Sequence, residues 1–82
     1  MANVIKTLHE QTNLPYKIMV EGINDILIEM QSDEEMKLRT LIHYANGDFY
    51  PKKRAIIKAL AKYFELSPTA LIENLKSNRE TA

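Results

Sequence analysis

Apolar residues recur along this chain in steps of three and four, and no alternating apolar and polar run is long enough to predict a strand. Val4, Ile5 and Leu8, with Thr12 in line, predict a first helix over 2–12 that stops at Asn13. Pro15 suits the opening turn of a second helix. Ile18, Met19, Ile23, Ile26, Leu27 and Met30 carry it to about Gln31, and Val20 and Ile28 widen its stripe beyond one face. Ser32 with Glu35 three residues on reads as a capping box, and Asp33, Glu34 and Glu35 suit the positive end of a helix dipole, so a third helix is expected to begin there. Its buried side is expected to hold Leu38, Leu41, Ile42 and Ala45, with Lys37, Thr40, His43 and Tyr44 nearer the surface.

Asn46-Gly47 ends that helix, because Gly takes the left-handed conformation freely. Asp48, Phe49 and Tyr50 form a short connection to Pro51, which is expected to open a fourth helix. Ile56, Ile57, Leu60, Ala61 and Phe64 carry it to near Leu66. Ser67-Pro68 is a cap followed by a first-turn Pro, and Leu71, Ile72 and Leu75 make a fifth helix amphipathic. A chain of 82 residues buries one core rather than two. The expected fold is therefore all-α, a compact five-helix single domain over 1–77 with a polar tail at 78–82.

Charge adds a second pattern to the apolar one. The net charge is zero, yet residues 1–36 hold two cations against seven acids, and residues 37–68 hold seven cations against two acids. Such a split can present a basic face to a polyanion, or it can pair the two halves within the fold. The absence of Cys excludes disulfides and thiolate chemistry and suits a reducing compartment. With no signal-peptide pattern and no apolar run long enough to span a bilayer, a cytoplasmic protein without membrane attachment is expected.

Two features point to anion binding. Pro51-Lys52-Lys53-Arg54 is expected to place three cations in the first turn of a helix, where the dipole is already positive and a bound phosphate would be favoured. Solvation of these long side chains, or pairing with the acidic half, is the plainer alternative. Along the third helix Lys37, Thr40 and His43 follow at spacing three with Arg39 beside them, a face that can enter a DNA major groove.

The stretch Tyr44-Ala45-Asn46-Gly47-Asp48-Phe49-Tyr50-Pro51, followed by Ile57 to Leu66 and Ser67-Pro68-Thr69-Ala70-Leu71-Ile72, resembles the second half of a lambda-repressor-like (XRE-type) helix-turn-helix DNA-binding domain. The resemblance covers roughly residues 38–75 and matches the family's count of five helices. It implies a recognition helix ending at Gly47, duplex DNA as ligand, and transcription regulation of a phage, plasmid or mobile-element kind. In three places the chain departs from the family pattern. The segment from Pro15 to Gln31 exceeds the family's short second helix, an acid-rich junction replaces its tight turn, and Ala45 stands where an acid is usual. Another register, with Glu21 to Asn24 as the turn and Asp25 to Gln31 as the reading helix, presents an acidic and apolar face.

The DNA-binding residues expected on this reading are Lys37, Arg39, Thr40, His43, Lys52, Lys53 and Arg54. The wide second helix is either a central helix touched on several sides or, through Val20, Leu27, Ile28 and Met30, a homodimer interface. The rival function is a protein-interaction module that docks a protein partner through its acidic half or apolar second helix. His9 and His43 form no ligand pair for a metal. No nucleophile, acid–base grouping or phosphate loop suggests an enzyme, and no cofactor is expected.

Overall fold

Four residues in the left-handed region, Asn13 (φ 55°), Gln31 (57°), Gly47 (79°) and Glu65 (59°), set where helices stop. The computed structural model describes residues 3–48 and 50–80, with side chains up to Lys76. Among them are α1 (Val4–Thr12), α2 (Tyr16–Glu29), α3 (Leu38–Asn46), α4 (Arg54–Tyr63) and α5 (Pro68–Glu80), and no strand. At the end of α2, Ser32 N–H bonds back to the Leu27 carbonyl at 3.0 Å and Gln31 N–H to Ile28 at 2.9 Å. The same double closure ends α3 at Gly47 and α4 at Glu65, where Leu66 N–H reaches the Ala61 carbonyl at 2.8 Å. Gly47 adopts this conformation freely, whereas Gln31 and Glu65 hold it with a Cβ.

The helix starts differ from those the sequence predicts. Ser32 does not cap α3. Its N–H is consumed in closing α2, and its Oγ accepts from Glu34 N–H at 3.1 Å rather than from Glu35. The Asn24 side chain then holds both backbone groups of Met36, accepting from its N–H at 2.7 Å and donating to its carbonyl at 3.1 Å. Met36 is buried in the core, so residues 30–37 form a pinned connection and α3 begins only at Leu38. Likewise Pro51 does not open α4. It is buried beside the core, and the helix starts only at Arg54, after an extended Lys53. Ser67 caps α5 as expected, accepting from Ala70 N–H at 3.1 Å. The helix runs to Glu80, into the expected tail, whose Thr81 and Ala82 lie outside the described residues, as does Phe49.

The centre of the fold is α2, whose Met19, Ile23 and Leu27 are buried, packed on α4, whose Ala59, Leu60 and Ala61 are buried. On α4 lies α5, contributing Leu71 and Leu75, and α3 packs on both α2 and α1. Gly22 lets α2 approach the Tyr63 ring, for a Cβ there would lie 2.5 Å from its Cε1. Buried Asn3 accepts from Lys6 N–H at 3.1 Å, capping α1, and donates to the Tyr44 carbonyl at 2.7 Å, tying α1 to α3. Tyr44 is only 8 % exposed, against its expected surface position, because it lies one turn after buried Leu41 and beside Ile56 of α4. Leu38, expected to be buried, is 44 % exposed because it is the first residue of α3, at the edge of the packing. No helix among the described residues is long and apolar enough to cross a membrane.

Candidate nucleic-acid interface

Because both helices start late, α3 and α4 begin in the same way. The N-cap of α3 is Lys37 and that of α4 is Lys53, neither makes a side-chain capping bond, and neither helix has an acid in its first turn. A helix start of this kind exposes backbone N–H donors at the positive end of the dipole. Lys37, Thr40 and Lys53 line one shallow cavity of about 240 Å³, bordered also by Glu34 and Glu35, with Tyr44 and Ile56 at its apolar side. Lys53 Nζ donates to Glu34 Oε2 at 2.9 Å. The cavity thus has two basic helix starts and two acids, of which Glu34 pairs with Lys53. Burial pushes the Tyr44 hydroxyl above its ordinary pKa, so it stays neutral beside them.

The acids expected in the first turn of α3 are not there. Asp33, Glu34 and Glu35 all precede the helix, in the pinned connection. Nor do Lys52, Lys53 and Arg54 share one helical turn, since only Arg54 is helical. Lys53 faces the α3 side, while Lys52 and Arg54 line a crevice between α4 and α5. All three are exposed.

The expected reading face of α3 is likewise divided. Lys37 and Arg39 are exposed, and Thr40 and His43 are half-buried. Arg39 and His43, four residues apart, share the outward stripe, whereas Lys37 and Thr40 turn toward α4. His43 Nδ1 lies 2.8 Å from Asp48 Oδ2, which anchors its ring at the C-terminal end of the helix. Of the residues expected at a dimer interface, Leu27 is a core residue at 1 % exposure, and Val20 and Met30 are partly buried against that core. Their apolar character is used within the chain. Only Ile28, 71 % exposed, faces outward.

Three participants escape the sequence reading. Glu34 is the partner of Lys53, and Lys58 and Lys76 stand beside Lys52 and Arg54 at the α4–α5 crevice. The pairing depends on where α4 starts, and no local motif marks it. Lys58 and Lys76 are brought to one crevice only by the packing of α5 on α4. Among the described residues no group of His, Cys, Asp and Glu is arranged to hold a metal ion. Comparison with protein-family models, with curated proteins and with solved structures finds no match for this chain.

Proposed function

We propose that this chain is a small duplex-DNA-binding regulator on a lambda-repressor-like helix-turn-helix scaffold, with α3 as the groove-facing helix and the start of α4 holding the phosphate backbone. The observation that carries the reading is the pair of uncapped helix starts, each headed by Lys, on one cavity. Helix N-termini and basic side chains together are a recurrent way of holding a phosphate. In this reading Lys37 and Lys53 contact phosphates on the cavity side and Lys52 and Arg54 extend the backbone contact. Arg39 and His43 face the base edges, with Thr40 beside the backbone.

The fitting test is a titration of labelled duplex at several salt concentrations. Each phosphate contact contributes about 0.9 to the log–log salt slope, so Lys37→Ala with Lys53→Ala lowers it by about 1.8. Unchanged affinity and slope in that variant, and in the variant carrying Ala at Lys52, Lys53 and Arg54, would end this reading.

The rival, a protein-docking module, is favoured by a separate observation, the outward exposure of Ile18 and Ile28 among the acids of α2. A chain that binds no duplex at low salt but loses a protein contact on charge reversal of Asp33, Glu34 and Glu35 would support it.

A further inference from the structure

Two further surfaces, the second sharing Lys52 and Arg54 with the proposed DNA face, are mixed apolar and charged, and they carry opposite signs. The first is the outward stripe of α2, where Ile18, Glu21, Asp25 and Ile28 follow one another at steps of three, four and three. Ile18 is 45 % and Ile28 71 % exposed, and both acids are exposed. The second is the crevice of about 670 Å³ between α4 and α5, with Ile57, Ile72 and Pro68 as its apolar lining. Around that lining stand Lys52, Arg54, Lys58 and Lys76, with Glu73 as the acid among them. None of Glu21, Asp25, Lys52, Arg54 and Lys58 forms an ion pair among the described residues. Lys76 rests over the Tyr50 ring at 5.2 Å.

We infer that the α4–α5 crevice receives the α2 stripe of a second copy of this chain, in a head-to-tail contact. The complementarity is twofold. An apolar helix stripe flanked by acids meets an apolar crevice flanked by bases, which is how a helix lies in a groove. The contact cannot form within one molecule, because α2 turns Met19, Ile23 and Leu27 toward its own core and packs on α4, so the stripe looks away from it. Pairing two α2 stripes about a two-fold axis would set Glu21 and Asp25 against their own copies, and like charges there repel. The surfaces are therefore heterologous, and repeating the contact either closes a ring or extends a chain. The inference does not depend on DNA binding, and Lys58 and Lys76 lie outside the residues assigned to that role.

The test is sedimentation velocity over a range of protein concentrations without nucleic acid, on the wild type and two variants. One carries Glu21→Lys with Asp25→Lys, the other Lys58→Glu with Lys76→Glu. The wild type is expected to gain mass with concentration, and to lose it when salt rises from about 50 to about 500 mM, which shortens the screening length several-fold. Each variant alone is expected to associate at least about tenfold more weakly, a shift that opposed charges in contact readily produce. Their equimolar mixture regains association, through the intact stripe and crevice on one side and through the contact with both signs reversed on the other. Ile28→Ser, at an exposed position, weakens association in the same direction and serves if a charge variant fails to fold. A wild type that stays monomeric, association indifferent to these changes, or a mixture that stays monomeric would overturn the inference. Because no DNA is present, that result would leave the duplex titration standing.

Discussion

Under the proposed function, replacing Lys37 by Ser is expected to move stability and DNA binding in opposite directions. Lys37 is the N-cap of α3, with φ −106° and ψ 149°, and its side chain makes no capping bond. A Ser in that extended conformation accepts from an N–H in the first turn, a bond worth typically about 1 kcal/mol. Ser is the better probe than Asp, because Glu34 and Glu35 already border the cavity and a third acid would repel them. For a domain of this size about 1 kcal/mol raises Tm by about 4–8 °C. The same change removes one cation from the proposed phosphate site, so the log–log salt slope becomes shallower by about 0.9. At moderate salt, duplex affinity falls several-fold. Thermal melts followed by circular dichroism and duplex titrations at three salt concentrations measure the two effects. A lower Tm would refute the N-cap geometry, whereas a raised Tm with unchanged affinity and slope would refute phosphate binding at α3.

Other perturbations test separate parts of the structure. Glu34→Gln removes the anion beside Lys53, and a unit charge about 6 Å from a phosphate in a water-like dielectric contributes about 0.7 kcal/mol, so duplex affinity should rise about threefold; a fall would contradict that role. Gln31→Gly and Glu65→Gly relieve left-handed strain, each raising stability by about 1 kcal/mol in denaturant titrations, and no gain at either would contradict those helix ends. Gly22→Ala sets a helix-propensity gain of about 1 kcal/mol against about 1–3 kcal/mol for crowding Tyr63, so a net loss is expected, reversed when Tyr63 is shortened to Leu. Burial raises the pKa of Tyr44 above 10.0 in the folded state, so its contribution is whole below pH 10.0 and is lost as pH rises through the folded value. Tyr44→Phe should flatten the alkaline loss of stability, and an unchanged profile would count against it; Tyr16 and Tyr63 act in the same sense.

The elements legible in the sequence are those decided by neighbours along the chain. A period of three to four over several turns marked Met19, Ile23, Leu60 and Leu71, which lie in the core. The stops at Asn13 and Gly47 and the start at Ser67-Pro68 are also local chemistry. Illegible features depend on distant partners. Ser32 and Glu35 match a capping box, but that pattern loses to the closure of α2 and to Asn24, twelve residues away, which takes both backbone groups of Met36. Nothing local distinguishes Gln31 or Glu65 as left-handed, since neither is Gly. Tyr44 lies inward because α4 brings Ile56 against that side of α3, a contact between elements that the local pattern does not show.

Small displacements of the helix starts change the electrostatics of the candidate site. Had α3 begun at Ser32, its acids would have neutralised the dipole and faced any approaching phosphate. With the start at Leu38, the acids stand beside the helix end and only Glu34 engages a cation across the cavity. The Glu34 and Lys53 side chains are 35 % and 69 % exposed, and exposed pairs of this kind contribute at most about 1 kcal/mol. The Glu29–Lys62 pair, at 3.6 Å and more exposed, binds the acidic and basic halves no more firmly. Neither pair can hold its cation against a polyanion whose counterions are released on binding. A Ser or Asp cap, by contrast, is fixed in the chain and would occupy the helix N–H groups permanently. Leaving both helix starts uncapped costs the free protein stability, and under the proposed function that cost is offset when a phosphate takes the place Glu34 now fills.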